Sequence, residues 1–121
     1  MTEFTLPWPP AGLSPNARVH YHKLAALKKK YRRDCAVLVM EQGAKWMAPG
    51  AKDVSLTFYP PTKRWPDWDN CIAAFKAGMD GISDAIGVDD SLFRIRFEVK
   101  REKGGCVVVR ISDALEGASC G

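Results

Sequence analysis

The segment that ends at Gly87 constrains the fold most, because its apolar residues recur with the period of an α-helix. They follow one another at steps of three, four, three and four residues: Ile72, Phe75, Met79, Ile82 and Ile86. Such spacing places them on a single helical face that has to be buried against other parts of the chain. Asp69 or Asn70 suits the N-cap of this helix, and Gly87 suits its end.

The rest of the chain predicts a second helix and four strands. The second helix runs from about Lys23 to Gln42, where apolar residues again recur at spacings of three and four. Alternating apolar residues predict strands over residues 3–8, 54–59, 92–100 and 106–112. Lys103, Gly104 and Gly105 suit a hairpin turn between the last two strands. The order β-α-β-α-β-β predicts an α+β fold, a small mixed β-sheet with two main helices.

A length of 121 residues is typical of a single domain. We expect residues 1–113 to form it and residues 114–121 to be a flexible tail, with loops over 9–22 and 61–70. Because there is no room for separate catalytic and recognition domains, two such sites share one fold or are completed by a second copy. The cysteines form no C-x-x-C pair and no secretory signal is evident, so we expect free thiols in a reducing cytoplasm. No apolar stretch approaches the roughly 20 residues that span a bilayer.

Charge is distributed unevenly along this basic chain, whose net charge is +4. Glu3 is the only acidic residue before Asp34, whereas this region holds seven basic ones: Arg18, Lys23, Lys28, Lys29, Lys30, Arg32 and Arg33. Six of the 14 acidic residues lie in one short window: Asp67, Asp69, Asp80, Asp84, Asp89 and Asp90. This pattern indicates polyanion binding beside a metal site, and the alternative is an ordinary solvated surface.

The acidic window suggests chemistry because its carboxylates can converge. In an extended chain Asp67 and Asp69 point the same way, and Asp89 or Asp90 can return to them after the helix. Clustered carboxylates repel one another without a cation, and Mg²⁺ prefers such oxygen ligands. A metal there would assist phosphodiester cleavage. The alternative is that these residues only cap the helix and form a turn.

Lys76 and Asp80 lie seven and eleven residues after Asp69. At 100° per residue both return to within about 20° of its direction on the helix. Lys76 could therefore hold a phosphate or position a water beside the metal. The alternative is an i,i+4 surface ion pair with Asp80.

These motifs occur together in one order that resembles the RusA family of Holliday-junction resolvases. The matching pieces, which cover nearly the whole chain, are Leu6-Pro7-Trp8-Pro9-Pro10, Ser14-Pro15-Asn16-Ala17-Arg18, Asp67-Trp68-Asp69-Asn70, Lys76, Asp80 and Gly87-Val88-Asp89-Asp90. The resemblance implies a homodimeric α+β endonuclease that resolves four-way DNA junctions with Mg²⁺, or with Mn²⁺ as a substitute. It implies that Asp67, Asp69 and Asp90 are the metal-binding and catalytic carboxylates. Lys76, about one helical turn further along than the family's catalytic lysine, is its counterpart.

The basic residues then acquire a role as contacts to the DNA backbone. We predict DNA binding by residues of the N-terminal half and by a pair just before the carboxylates: Arg18, Lys28, Lys29, Arg32, Arg33, Lys63 and Arg64. Trp65 and Trp68 could wedge into a junction, or pack on the core or on a second subunit. Two alternative functions remain, a nuclease acting on other branched or RNA-containing substrates and a DNA-binding dimer without activity.

Overall fold

The computed structural model describes residues 2–62 and 67–114, and their elements follow the predicted order. The strands are β1 (Thr2–Pro7), β2 (Lys52–Tyr59), β3 (Phe93–Val99) and β4 (Cys106–Asp113), and the helices are α1 (Tyr21–Glu41) and α2 (Trp68–Ile86). Two short 3₁₀ helices, Ala11–Leu13 and Asp90–Leu92, lie in the connections. The predicted α+β class, with a mixed four-stranded sheet and two helices, is confirmed. Neither helix in the described ranges is long and apolar enough to cross a membrane.

The strand order is β1-β4-β2-β3, so the predicted hairpin between β3 and β4 is wrong. β2 lies between them, parallel to β3 and antiparallel to β4. The turn at Gly104 and Gly105 instead carries the chain around the end of β2, where their N–H groups donate to the carbonyls of Pro60 and Tyr59 at 2.8 Å. Gly105 has a φ of 71°, a conformation that glycine adopts without strain. Alternation identifies a strand but not its neighbours, and β2, buried along most of its length, takes a partner on each side.

One face of the sheet packs against the two helices. Strand register aligns its buried side chains in rows, such as Phe4 beside Val109 and Leu56. Phe75 of α2 meets this face edge-on, with its ring centroid 5.8 Å from that of Phe58. Each fully buried side chain of this size contributes about 1.5–3 kcal/mol. The apolar stripe of α2 thus holds the helix on the sheet and fixes which of its sides faces solvent.

The helices cross closely at Gly81, which sets the geometry of the outer surface. A Cβ atom on Gly81 would collide with the carbonyl oxygen of Arg32 and crowd Ala36 and Cys35. Glycine therefore allows the two backbones to touch. As a result, the basic side of α1 lies beside the solvent-facing side of α2.

The N-cap of helix α2 lies two or three residues earlier than the two predicted caps, Asp69 and Asn70. Asp67 is the N-cap, with extended backbone angles, and its carbonyl accepts the first helical hydrogen bond from Cys71 at 3.2 Å. Asp69 and Asn70 are already inside the first turn, so the prediction that either caps the helix is wrong. The helix ends as predicted at Gly87, whose φ is 72° and whose N–H donates to Ser83.

Candidate active site

Two exposed carboxylates lie at the N-terminal end of α2. Asp67 is the N-cap but makes no side-chain capping bond. The Oδ1 atom of Asp69 accepts a hydrogen bond from the adjacent backbone N–H of Asn70, at 3.0 Å. Within residues 2–62 and 67–114, neither carboxylate forms an ion pair with a lysine or arginine. No described basic side chain thus neutralises their oxygens, although a helical Asp69 does not have the extended i,i+2 geometry that the sequence suggested.

The charges of this pair act on a buried neighbour. Burial raises the pKa of the Cys71 thiol, and the negative charges of Asp67 and Asp69 raise it further. The partial positive charge of the helix N-terminus favours both carboxylates and offsets part of their mutual repulsion. The two groups thus form a local negative centre that would attract a cation.

Lys76 lies between two other carboxylates further along α2. Its ammonium donates to Asp80 at 2.9 Å and also to Asp90, which the chain returns to the helix after Gly87. The hydrogen bond with Asp90 is the main cause that raises the pKa of Lys76, and the hydrogen bond with Asp80 raises it further. Lys76 is therefore kept protonated. The i,i+4 ion pair that we considered is therefore present, and it is joined to a third residue that lies 14 positions later. Asp90 thus returns to α2 beside Lys76, and not beside Asp67 and Asp69, where the sequence suggested that Asp89 or Asp90 could lie.

The adjacent residues Asp89 and Asp90 have different roles in the structure. Asp89 accepts from the backbone N–H of Ser91 at 2.9 Å and caps the short 3₁₀ helix. The turn-forming alternative therefore describes Asp89 well. Asp90, in contrast, directs its carboxylate at Lys76, and only 28% of its side chain is exposed.

The carboxylates form two groups and not one. Asp69 precedes Lys76 by two helical turns, roughly 10 Å along the axis. In the described part of the chain, no three His, Cys, Asp or Glu side chains lie close enough to hold a metal ion. The donor chemistry nevertheless suits Mg²⁺, since Asp67 and Asp69 offer hard oxygens without a counter-ion and Asp90 already accepts a cationic group.

A basic cleft of about 600 Å³ lies between α1 and α2. Its lining consists of four basic, one acidic and three apolar side chains: Lys28, Lys29, Arg32, Lys76, Asp80, Leu13, Ala73 and Ala77. Ala73 is one turn after Asp69 on the same side of the helix, so this cleft begins beside the carboxylate pair. It brings three of the predicted DNA contacts together with Lys76.

The other predicted DNA contacts lie elsewhere. Arg33 lines a separate depression with Pro7 and Val37, and Arg18 is exposed in the loop before α1. Lys63 and Arg64 are outside the described residues, as is Trp65. Of the basic residues of α1, the cleft beside α2 therefore collects Lys28, Lys29 and Arg32, whereas Arg33 lies on another side of the helix.

Two interactions near the site were missed by the sequence analysis. Arg32 forms a paired hydrogen bond with Asp84, at 2.7 and 2.8 Å, which lowers the pKa of Asp84. Trp68, between the two free carboxylates, stacks on Phe97 of β3 with ring centroids 5.3 Å apart. No sequence signal links Arg32 with a residue 52 positions away, whereas an exposed aromatic beside alternating apolar residues could have suggested the second contact.

Comparison with known proteins gives a relative but no description of its activity. No family model matches the chain. A protein of Xylella fastidiosa, described only as uncharacterized, is 40% identical over an alignment of 128 residues, which covers 100% of this chain and 82% of that protein. Identity at this level over both chains implies a shared fold and common descent, so the chain belongs to the same family as this Xylella fastidiosa protein.

Proposed function

We propose that the chain is a magnesium-dependent endodeoxyribonuclease of the RusA type, which resolves four-way DNA junctions by paired phosphodiester cleavage. The observation that carries the proposal is the position of the basic cleft next to two unpaired carboxylates. A phosphate bound between Lys28, Lys29 and Lys76 would lie beside Asp69, one turn beyond Ala73. Anion binding and cation binding at adjacent positions on one helix is what a metal-dependent nuclease requires.

The basic cleft would hold the DNA backbone. Lys28 and Lys29 line it without an acidic partner among the described residues, so their charges are available to phosphates. Arg32 is partly neutralised by Asp84 and contributes less. Contacts of this kind are independent of sequence and weaken as salt rises, because phosphate binding releases counter-ions. Selectivity for a junction would then come from shape and from a symmetric partner subunit.

The carboxylates would hold the metal ion. We assign Asp67 and Asp69, at the helix N-terminus, to Mg²⁺, with Mn²⁺ as a substitute. Asp90, the third carboxylate that the RusA resemblance implies, is bonded to Lys76 about two helical turns away and would have to leave Lys76 to join them. When bound, the ion supplies charge neutralisation at the scissile phosphate and lowers the pKa of a water. Lys76 orients the Asp90 carboxylate through its hydrogen bond and lines the cleft, with its charge balanced by Asp80 and Asp90.

Paired cleavage supports a homodimer. The chain of 121 residues carries one set of Asp67, Asp69 and Asp90, whereas a junction has to be cut on two opposed strands. A C₂ dimer provides two such sets related by the symmetry of the junction. A mixed dimer in which one subunit carries Asp69→Asn should nick one strand and fail to resolve the junction.

The test compares a four-way junction with a linear duplex of the same sequence, each with and without Mg²⁺. Cutting of the junction alone, dependent on the metal and absent in Asp69→Asn, is the expected result. Cutting of other branched or RNA-containing substrates in preference would support the alternative nuclease. Binding to the junction without cutting under any metal would overturn the proposal in favour of a DNA-binding dimer.

A further inference from the structure

The two edge strands of the sheet differ in whether side chains occupy their outward-facing backbone groups. At the β1 edge, the side chain of Gln42 accepts from the backbone N–H of Thr5 and donates to its carbonyl, both at 2.8 Å. The Tyr31 hydroxyl donates to the carbonyl of Pro7, at 2.6 Å, and proline ends the strand. At the opposite edge, β3 pairs with β2 alone among the described strands. Unpaired strand edges of this kind are ready to accept another strand.

Strand β3 also exposes apolar side chains on the side that faces the helices. Its register places Ile95 beside Val54 and Phe97 beside Leu56, so these residues extend the buried face of β2. The helices cover them only in part, since Ile95 is 36% exposed and Phe97 42% exposed. Trp68, itself 60% exposed, covers part of Phe97 and leaves an apolar row open at the sheet edge.

The free backbone groups of β3 belong to the residues that carry this apolar row. Lys100, just after the strand, donates its N–H to Phe58 of β2 at 2.9 Å. In a parallel pair of strands, every second residue directs both its N–H and its C=O to the neighbouring strand, and the residues between direct theirs away from it. The even-numbered residues therefore face β2, and the outward groups are those of Ile95, Phe97 and their odd-numbered neighbours.

We propose that β3 pairs antiparallel with β3 of a second copy of this chain, in the register that places Arg94 opposite the partner's Glu98. In this register every residue of the strand meets a complementary one across the axis, except at the centre. Phe93 lies opposite the partner's Val99, and Ile95 opposite the partner's Phe97. Two Arg94–Glu98 pairs join oppositely charged groups, and only Arg96 faces its own copy.

Other registers are less complementary. Moving the axis by one residue toward the C-terminus, onto Phe97, places Arg96 opposite Glu98 twice. It also brings Arg94 opposite Lys100 twice, which cancels this gain, and leaves Phe93 without an apolar neighbour. Moving it to Ile95 brings Arg94 opposite Arg96 twice. Placing the axis between two residues would put apolar side chains opposite charged ones. Like charges directly opposite are unfavourable, so the register centred on Arg96 is preferred.

This pairing would produce an eight-stranded sheet with both helix layers on one face, because directly opposite residues in antiparallel strands point to the same side. The two Phe97 rings would lie on a diagonal about 7–8 Å apart, with each Trp68 stacked beside them. The carboxylates that flank Trp68 would then face the same side near the dimer axis. The inference specifies the surface of the dimer on which the proposed function rests, but it does not depend on cleavage chemistry.

Reversal of the charges on β3 tests the register. The dissociation constant of the dimer is measured by sedimentation, without DNA or metal. Arg94→Glu and Glu98→Arg should each weaken the dimer about tenfold, because each replaces two opposite-charge pairs by like-charge pairs. The double variant Arg94→Glu with Glu98→Arg should restore the wild-type dissociation constant. Three results would overturn the proposal. The first is restoration by Arg96→Glu with Glu98→Arg instead, and the second is that no β3 variant weakens a dimer that the wild type does form. The third is a wild type that is monomeric. Circular dichroism verifies that each variant is folded.

Crosslinking provides a second readout that does not rely on affinity. Directly opposite residues at a non-hydrogen-bonded position have Cα atoms about 4.5 Å apart, within reach of a disulfide. Arg96→Cys should therefore form a covalent dimer under mild oxidation, whereas the wild type and Phe97→Cys should crosslink far less. A strong crosslink through Phe97→Cys would place the axis elsewhere and contradict the register. If Arg96→Cys crosslinks but the chain cuts no junction, the interface stands and the nuclease proposal fails.

Discussion

The two halves of α2 carry acidic residues in opposite electrostatic situations. In the C-terminal half, Asp80 is paired with Lys76 and Asp84 with Arg32. At the N-terminal end, Asp67 and Asp69 have no such partner in the described part of the chain. One helix thus contains internally neutralised carboxylates and carboxylates that rely on solvent, on the helix dipole or on an added cation.

This difference separates structural from functional acids. A side chain that is already hydrogen-bonded to a base contributes modestly to stability, and its removal changes mainly the folded protein. A pair of unneutralised carboxylates contributes little to stability, because repulsion opposes the dipole interaction. Substitutions in the two halves should therefore have contrasting effects on activity and stability.

The largest effect is expected for Asp67→Asn and Asp69→Asn. Each should reduce junction cleavage about a thousandfold or more, because loss of a metal ligand removes several kcal/mol of transition-state stabilisation. The free energy of unfolding should change by only about 0.5 kcal/mol, since among the described residues neither side chain forms an ion pair and Asp67 makes no capping bond. Cleavage assays and urea unfolding measure the two quantities, and full activity in either variant would remove that residue from the mechanism.

Substitutions at Lys76 and Asp80 distinguish a role of Lys76 in cleavage from a purely structural role of its ion pair with Asp80. Lys76→Met should lower cleavage about a hundredfold, the usual effect of losing one charge-stabilising donor. Asp80→Asn is its matched control, because it breaks the same i,i+4 pair and leaves the contact between Lys76 and Asp90 intact. We expect Asp80→Asn to change activity only a few-fold. Equal losses in both variants would show that the ion pair, and not the lysine itself, matters.

Much of this arrangement follows from local sequence patterns. The stripe on α2 and the glycine after it are local signals, and they place Lys76 and Asp80 on one side of a helix. That Asp90 returns to Lys76, and not to Asp67 and Asp69, was not predicted. The extended geometry expected for Asp67 and Asp69 failed because the helix begins at Trp68. Composition favoured a cap two residues later, and no local pattern opposed it.

The remaining features depend on contacts between distant segments. The order of the strands places β2 between β3 and β4, and nothing in the alternation of β3 or β4 distinguishes this from a hairpin. The pair of Arg32 with Asp84 exists because Gly81 lets the helices touch. The position of α2 beside α1 also decides which basic residues of α1 line the cleft. Lys28, Lys29 and Arg32 do so, and Arg33 does not.

The basic cleft predicts a smaller, measurable change in DNA binding. Lys28→Ala with Lys29→Ala should flatten the dependence of junction affinity on salt, by a slope of about 0.9 for each phosphate that the variant no longer neutralises. Arg33→Ala is the control from the same helix, since Arg33 lies outside the cleft. Titrations at several salt concentrations measure the slopes. The same slope for the double variant and wild type would mean that these lysines are only solvated.

The smallest effect is expected for Asp84→Asn, which breaks the pair with Arg32. The hydrogen bonds from Arg32 lower the pKa of Asp84 in the folded chain. A lowered pKa means that the stabilisation is present at neutral pH and is lost as the pH falls below about 3.9, the value for an unfolded Asp, and then through the folded pKa. Because both side chains are substantially exposed, at 51% and 44%, the cost at pH 7 should be only about 0.5 kcal/mol.

Urea unfolding of wild type and Asp84→Asn, measured from neutral to acid pH, tests whether the pKa of Asp84 is lowered in the folded chain. The difference in unfolding free energy should be greatest near neutrality and should shrink toward zero in acid, where Asp84 is protonated in both states. Asp34→Asn, which breaks the exposed pair with Lys30 on α1, provides a control away from α2. A difference that grows as the pH falls would contradict the assigned direction of the pKa. On the proposed function, junction cleavage by Asp84→Asn should remain near wild type, unlike that of Asp67→Asn and Asp69→Asn, because Asp84 is not among the residues that we assign to the metal.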